Sequence, residues 1–567
     1  MLLAVLLLSA CKPEDPSEGS DSQNRGELTT SHTISQAEFN SLSADDQYVV
    51  ANKALSTMYR GLPLDEFFDV QQGLESPQIQ YQNFISDTQA KLQSKLTFDE
   101  RVSWDQLILG KDDNPETEED ESIQARFNSF DNDQPHHIYM ARMQTYPLSH
   151  DQLVTWMSYF LANTIMFSPA REMDSTNSQD IIRVLAYLDQ SLSERRPIRD
   201  VVRGWLHNLS RWRVSRSPEN HALEMFELYL GIFNDTPEEQ QNTINGGKAC
   251  SSWYLTDNDA DYQLLKDLTK VEGGETHIVF GQYVATCEDL YDVVAGHPFL
   301  IPRVTEVIVN YFMDGSPATL KQNLIQSIVS SGPTTFEDIF LGVMFSKAFL
   351  LESERPKTFE ENAFNFLHAM HWTPRSNRGE VGRSVIDNLL DSDRFNADIA
   401  VHRMGWAAMN YKIGRTPFLP LDVLSFATYH KGIREEVLLS ERSFSGQSHP
   451  TVDEDEEPKF PIKNGAFYIA GTENLKPELE GISAEDFVDL IFLSALGRRA
   501  DDTEMAAFLT EGEEGRGHIC PDEDDILRMC PVSRSGEVWE WYTDDFAEVI
   551  LEYISQLPEF YYYKSVN

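Results

Sequence analysis

Two glutamates and three arginines lie close together near the middle of this chain, in the stretch RWRVSRSPENHALEMFELYLG. Arg211, Arg213 and Arg216 come first, and Glu224 and Glu227 follow three residues apart among large apolar side chains. Such carboxylates need partners, because an unpaired buried charge is costly. We favour a structural network in which the arginines neutralise them. The alternative is acid–base chemistry or cation binding, with Glu224, Glu227, Arg213 and Arg216 as candidate catalytic residues.

The element that must position these carboxylates is a helix with well-defined ends. Ser217 is a good N-cap, the proline after it fits the first helical turn, and Gly231 suits the C-terminal stop. On a helix, residues three and four apart share a face, so Asn220, Glu224 and Glu227 are predicted to lie together. Apolar residues occupy the adjoining face, which predicts that this helix packs into a core.

A second group of ligand-type side chains has helical spacing: Glu361, Asn365 and His368 share one predicted helix face. Histidine and carboxylate together are ligands that zinc accepts. Thr358 and Glu361, however, have the spacing of a capping box, in which the glutamate bonds to its own helix start. We therefore predict a helix cap with core histidines, and His368 remains a weak metal candidate.

The run DNDAD alternates acids in the way that calcium loops do, with Asp257 and Asp259 as candidate ligands. An EF-hand loop needs glycine at its sixth position and glutamate at its twelfth, where this chain has Tyr262 and Leu268. A polar loop is therefore the favoured interpretation. The sequence also contains no Walker loop, no Gly-x-Gly-x-x-Gly, no His-Glu-x-x-His and no Gly-x-Ser-x-Gly. We expect no cofactor.

The charge balance excludes one class of partner. Among 567 residues, 92 are acidic and 46 are basic, so the formal net charge is −46. A chain this acidic repels phosphate backbones, and we expect no nucleic-acid partner. The hydrophobic fraction of 41% is ample for a large buried core.

The N-terminal run MLLAVLLLSAC predicts export. Its apolar part is too short to span a bilayer and is typical of a signal peptide. Leu-Ser-Ala-Cys resembles the bacterial lipobox, which implies lipid on Cys11 and attachment to the bacterial cell envelope, at the outer membrane facing the periplasm or the cell surface. Residues 1–10 are then the signal peptide. Residues 11–35, rich in Ser, Glu, Asp and Pro, are predicted to be a disordered tether.

Four cysteines remain if Cys11 carries lipid. An even number in an oxidising compartment predicts two disulfides, and proximity in sequence favours Cys250–Cys287 and Cys520–Cys530 among the three pairings. By the loop-entropy argument, these would stabilise the fold by roughly 4 and roughly 3 kcal/mol.

Helical periodicity dominates the rest of the chain, which predicts a mostly α fold: a multi-helical globular array with few short strands. ETHIVFGQYVAT is the best strand candidate. The mixture of Gly, Pro and acidic residues at 443–465 predicts a linker between a helical core domain at 36–442 and a smaller C-terminal helical unit at 466–567.

ENHALEMFELYLG resembles the signature of a widespread exported bacterial family, domain-of-unknown-function family 1800, although Leu223 stands where that family has arginine. Three later passages follow in the family's order: AGHPFLIPRVTEVIVNYFMDGSP, FSKAFLLESERPKTFEENAF and GRTPFLPLDVLSF. The resemblance covers roughly residues 150–430. It implies an all-helical exported protein without an established activity, encoded beside a sulfatase-like exported protein.

These observations lead to two functional expectations. The first is a lipid-anchored, exported helical protein that binds or scaffolds. Its partner is an exported protein, for which the resemblance implies a sulfatase-like type. The second is a hydrolase or other enzyme that uses the cluster from Arg211 to Glu227. A cleft containing both glutamates would favour the enzyme, and a paired structural network would favour the scaffold.

Overall fold

The computed structural model describes residues 32–61, 83–109, 142–166 except 144, 178–208, 217–255, 264–267, 269, 275–357, 361, 365, 484–509, 518–521, 527–530, 550, 553–554 and 556–566. Of these residues, 67% are helical and 5% lie in strands. The predicted mostly α fold with few short strands is therefore confirmed.

The helices of the described residues follow one another through the chain and pack largely with neighbours in sequence. They are α1 Gln36–Asn40, α2 Ala44–Ser56, α3 Phe84–Gln93, α4 Phe98–Leu109, α5 His150–Asn163, α6 Ser178–Ser193, α7 Ile198–Asn208, α8 Pro218–Leu230, α9 Pro237–Cys250, α10 Cys287–Gly296, α11 Leu300–Phe312, α12 Ala318–Ser330, α13 Phe336–Met344, a π-helical turn Ala348–Glu352, α14 Ala484–Leu496, α15 Asp502–Phe508 and α16 Pro558–Tyr561.

The strands of the described residues form antiparallel pairs and no larger sheet. They are β1 Trp253–Leu255 with β2 Leu264–Lys266, β3 His277–Val279 with β4 Gln282–Val284, β5 Arg355–Pro356 with β8 Tyr562–Tyr563, and β6 His518–Pro521 with β7 Leu527–Cys530. The β3–β4 hairpin lies within the stretch that the sequence marked as its best strand candidate.

Local sequence decides where many of these helices begin. At the start of α9, the Thr236 hydroxyl accepts from the Glu239 amide, and the Glu239 carboxylate accepts from the Thr236 amide. The same reciprocal box starts α1, α10, α13 and α15. Each box satisfies amides that the first turn of a helix leaves without intrahelical partners.

An aromatic cluster holds α5, α11 and α13 together. Trp156, Phe160, Phe312 and Phe340 are all buried. The ring centroids of Trp156 and Phe340 lie 5.2 Å apart, and those of Phe160 and Phe312 lie 5.3 Å apart. Rings of this size bury much apolar surface, and edge-to-face contacts add to the stabilisation that burial provides.

The described end of the predicted tether is packed. Thr33 forms a bridge to Ser346, and the Ile34 amide donates to the Phe345 carbonyl while its side chain is buried. The prediction of a disordered tether is therefore wrong at Thr33 and Ile34, because a buried apolar side chain and backbone hydrogen bonds fix them next to the first cap. Residues 1–31, including Cys11, lie outside the described residues.

The described part of the predicted C-terminal unit packs against the core. Strand β8 pairs with β5, with Arg355 opposite Tyr563, and the apolar side chains of α14 belong to the main hydrophobic cluster. The linker at 443–465 lies outside the described residues, so the division into two units remains a prediction. No helix among the residues placed here is long and apolar enough to cross a membrane.

Candidate functional site

Helix α8 has the ends that the sequence predicts. The Ser217 hydroxyl accepts from the Asn220 amide at 3.2 Å, and Gly231 ends the helix with a left-handed φ of 69°. The shared polar face is also present, since Asn220 Nδ2 donates to Glu224 Oε1 at 2.8 Å. The sequence therefore placed the helix and its polar face correctly.

The environment of the two carboxylates differs from the expectation of deep burial. Glu224 and Glu227 are both only half-buried. Water therefore solvates them in part, and the cost that would require full charge pairing is reduced. Arg211, Arg213 and Arg216 lie outside the described residues, so their pairing with these glutamates remains a prediction.

The buried face of α8 supports a chain of rings that leads to the surface. The Phe226 ring lies 4.8 Å from the ring of Phe280, at the turn of the β3–β4 hairpin. Phe280 lies 4.9 Å from the His297 ring, which in turn lies 5.0 Å from Phe299. These contacts fix the hairpin and the start of α11 against the helix core.

Large apolar side chains are exposed around this hairpin. Ile278 and Tyr283 face each other across the strands, with 52% and 78% of their surface exposed, and Phe299 is 53% exposed. Asn245 Nδ2 on α9 donates to the Ile278 carbonyl at 2.8 Å, beside the exposed Ile244. We call the exposed side chains of Ile244, Ile278, Tyr283 and Phe299, together with the half-buried His297, the exposed aromatic surface.

Sequence reasoning marked this hairpin as strands but missed its exposed face. Val279 and Val284 fill the inner face and are fully buried. A solvated outer face normally alternates with polar residues, whereas here Ile278 and Tyr283 occupy it. Apolar residues at successive positions of an isolated hairpin place apolar side chains on both of its faces. This pattern could have predicted the exposed apolar face from the sequence.

His297 connects the surface to the backbone around it. Its Nδ1 accepts from the Phe299 amide at 3.2 Å, which places the proton of the neutral ring on Nε2. Burial lowers the pKa of His297, and the nearby Arg199 guanidinium lowers it further. At neutral pH the ring is thus uncharged and serves as part of an apolar surface with one N–H donor.

Two of the passages that resemble the exported family pack against each other here. Gly231 closes α8, and a side chain at this position would lie 3.2 Å from Arg303 Cδ of α11. The left-handed φ and this close approach both favour glycine. The Arg303 guanidinium also lies 5.6 Å from the ring centroid of Phe233, which follows α8.

The predicted disulfide between Cys250 and Cys287 is present, with the two Cα atoms 4.3 Å apart. It joins the end of α9 to the start of α10. His221 lies beside it, and these three residues are the sole cluster of metal-type ligands in the described part of the chain. Because the two sulfurs are bonded to each other, they are not thiolate ligands. We therefore assign the cluster to the disulfide.

Several predicted site residues fall where their side chains are not described. The backbone of the β6–β7 hairpin places Cys520 opposite Arg528 and Cys530 opposite His518. The side chains of both cysteines lie outside the described residues, so their disulfide remains a prediction. The weak metal candidates His368, Asp257 and Asp259 also lie outside them.

Glu361 has a buried partner that sequence reasoning did not identify. Its carboxylate accepts two hydrogen bonds from the Arg355 guanidinium, one of them at 2.9 Å between Arg355 Nη1 and Glu361 Oε2. Both side chains are 1% exposed. The predicted cap partner, Thr358, lies outside the described residues. The Glu361 carboxylate therefore belongs to a buried ion pair with Arg355, and the capping bond to Thr358 remains a prediction.

This pair lies in a group that we call the tail cluster: Lys53, Arg355, Lys357, Glu361 and Tyr563. The Tyr563 ring centroid lies 4.8 Å from the Arg355 guanidinium carbon and 5.3 Å from Lys357 Nζ. Burial lowers the pKa of Lys357 to about 8 and holds that of Lys53 well below its usual value. Arg355 and Lys357 thus share the Glu361 carboxylate beneath the last strand of the chain, while Lys53 donates to the Ser353 carbonyl at 2.7 Å.

Comparisons with known protein families, with curated proteins and with solved structures find no match to this chain. The resemblance to the exported bacterial family therefore rests on the four sequence passages alone. The class that the fold and site define is a disulfide-linked, mostly helical protein with an exposed aromatic surface.

Proposed function

We propose that this protein is an exported binding protein, held at the bacterial cell envelope by lipid on Cys11, whose exposed aromatic surface docks an exported protein partner. The observation that carries the proposal is the exposure of Ile278, Tyr283 and Phe299 around one rigid hairpin. The resemblance to the exported family suggests a sulfatase-like partner.

The surface has the composition of a protein-binding site. Aromatic residues are enriched where protein partners bind, because they bury much area and lose few rotamers. The hairpin is held from below by Val279 and Val284 and by the Phe280 ring stack. A rigid surface loses little conformational entropy on binding, which favours affinity.

The charges near the surface indicate the chemistry of the partner. Exposed acidic side chains stand at the start of α9 and before β3, namely Asp235, Glu238 and Glu275. The whole chain is also strongly acidic. We infer a partner with an apolar pocket surrounded by lysine and arginine, because complementary charge speeds encounter and suppresses wrong partners.

The alternative is a hydrolase or other enzyme that uses the cluster from Arg211 to Glu227. It has weaker support, because Glu224 bonds to Asn220 on a half-exposed helix face. A catalytic carboxylate is more often found in a concave site that shifts its pKa.

Site-specific crosslinking in cells tests the docking surface. A photoreactive phenylalanine analogue would replace Tyr283 or Phe299, and a control would carry it at Phe98, a residue on α4 that is 73% exposed. We expect positions 283 and 299 to give the same adduct with one exported protein, and position 98 not to give it. Adding Ile278→Asp should remove the adduct. An adduct that also forms at position 98, or none at 283 and 299, would overturn the proposal.

The proposed lipid anchor on Cys11 has a separate test. Cys11→Ser should release the protein from membranes and abolish labelling with a fatty acid, because this cysteine is the proposed acceptor. If the variant still sediments with membranes and the wild type takes up no fatty acid, the lipid anchor is wrong. The docking surface would stand, since its test does not depend on the anchor.

A further inference from the structure

A cavity of about 230 Å³ opens between α4, α5, α6 and the segment before α5. Its charged lining consists of Arg101, Asp105, Arg142, Asp151 and Asp189, and the Tyr146 hydroxyl is close by on Asp105. It shares no residue with the exposed aromatic surface. The space corresponds to roughly eight water molecules, so it suits a small molecule and not a peptide.

Two of the three carboxylates in the cavity already have good partners. Asp105 accepts from Arg142 Nε at 2.9 Å and Nη2 at 3.0 Å, and from the Tyr146 hydroxyl at 2.7 Å. Asp151 accepts from the Leu96 amide at 2.7 Å. These short bonds to fixed donors mark Asp105 and Asp151 as structural parts of the wall.

Asp189 has much weaker partners. Its contacts are the Ser158 hydroxyl at 3.4 Å and Arg142 Nη1 at 3.8 Å, and that guanidinium is already bonded to Asp105. The side chain keeps 30% of its surface exposed, and it lines the cavity. The oxygens of the Asp189 carboxylate can therefore accept further hydrogen bonds from a ligand in the cavity.

The charge balance selects the sign of the occupant. Three carboxylates face two guanidinium groups, those of Arg101 and Arg142, so the wall carries one net negative charge when all are ionised. A single positive charge in the cavity would neutralise it. The three aspartates do not come close enough to one another to hold one metal ion, since the cluster at His221 is the sole such group among the placed residues.

We infer that this cavity binds a small organic cation, a primary ammonium or a guanidinium, with the Asp189 carboxylate as its counter-ion. The cation supplies the N–H donors that Asp189 lacks, and a charge-assisted hydrogen bond is about twice as strong as a neutral one. Thr155 and Ser193 also line the space; the Thr155 hydroxyl donates to the Asp151 carbonyl at 2.8 Å, so its oxygen can still accept from an N–H group. Arg101, whose side chain is 46% exposed, stands at the mouth.

The affinity of the cavity for a cation depends on pH, because burial and the charged groups of its wall shift the pKa of Asp189. The charged groups around Asp189 are Arg142, Asp151 and Arg101, with Asp105 and Tyr146 beyond Arg142. Lys95 also lies at the wall, where its Nζ donates to the Ser193 carbonyl at 2.8 Å. Burial raises the pKa of Asp189, and Arg142 opposes this only in part. Affinity for a cation therefore falls as the pH drops through this raised pKa, because the protonated acid no longer offers a counter-charge.

Calorimetric titration of the purified full chain with butylguanidine, which carries one positive charge, in low salt at pH 7.5, tests the site. We expect saturable binding of one butylguanidine per chain, and a tenfold or greater loss of affinity for Asp189→Asn. Asp235→Asn is the matched control, because it removes the same charge at an exposed position. It should change the affinity less than twofold.

A second measurement keeps the test decisive if Asp189→Asn does not fold. On the wild type, butylamine should bind at least tenfold more tightly than butan-1-ol, which has the same shape without the charge. Equal affinities, no saturable butylguanidine binding, or an equal loss in Asp189→Asn and Asp235→Asn would each overturn the inference. The crosslinking result at the exposed aromatic surface is independent of all these outcomes.

Discussion

The tail cluster and the polar face of α8 both contain glutamates that follow arginines in the sequence, yet their environments differ. Glu361 is 1% exposed and paired with Arg355, which strand β8 covers through Tyr563. Glu224 is half-buried and bonds to Asn220. Burial removes water as an alternative partner of the carboxylate. Loss of the ion pair would therefore leave an uncompensated buried charge and destabilise the fold. The difference between these glutamates is set by what covers them.

Glu361→Ala should produce the largest effect. It leaves the buried Arg355 and Lys357 cations without their carboxylate, and breaking a buried pair on one side costs about 3–5 kcal/mol. Chemical denaturation monitored by circular dichroism should show this loss. Glu219→Ala, an exposed helix residue, is the control. Equal midpoints for the two variants would show that the tail cluster does not depend on its carboxylate.

Replacing both Cys250 and Cys287 by serine should come next. The disulfide closes a separation of 37 residues, and its loss should cost roughly 4 kcal/mol through the entropy of the unfolded chain. The same denaturation assay measures it. Because the bond ties α9 to α10 near the hairpin, crosslinking from position 283 should also weaken. Unchanged stability would show that packing alone holds this region.

Lys357→Met gives a pH-dependent effect. Burial lowers the pKa of Lys357 to about 8, so between pH 8 and 10 the unfolded chain binds more protons than the folded chain. The stability of the wild type should therefore rise with pH in this window, by about 2 kcal/mol from this lysine. Above pH 10, the buried tyrosines with raised pKa values reverse the trend. The variant should lose the part of the rise that Lys357 contributes and keep the part from Lys53, whose pKa burial also lowers; an unchanged slope would contradict the assignment.

Glu224→Ala should have the smallest effect. Its carboxylate is half-buried, and loss of the hydrogen bond to Asn220 should cost about 1 kcal/mol or less. Thermal melting against Glu361→Ala measures the contrast directly. A loss as large as that of Glu361→Ala would show that the arginines before α8 form the buried network that the sequence first suggested.

Local signals were enough for a substantial part of the fold. The α8 helix from Pro218 to Leu230, its Ser217 cap and its Gly231 stop could all be read from the sequence, because caps and stops depend on residues within one helical turn. The Cys250–Cys287 pairing and the β3–β4 strands were also predicted. The cap residues and the two strands are close to their partners in the sequence, and the four cysteines allow only three pairings.

The sequence by itself thus determined the helical class, the helix ends and one disulfide. Tertiary structure alone decided which glutamate is buried, that Tyr563 covers Arg355 from more than 200 positions away, and that Ile278 and Tyr283 face solvent. It also decided that Asp189, on α6, opens into a cavity walled by α4 and α5. The physical reason is that burial and charge pairing depend on distant elements, which periodicity and spacing do not specify.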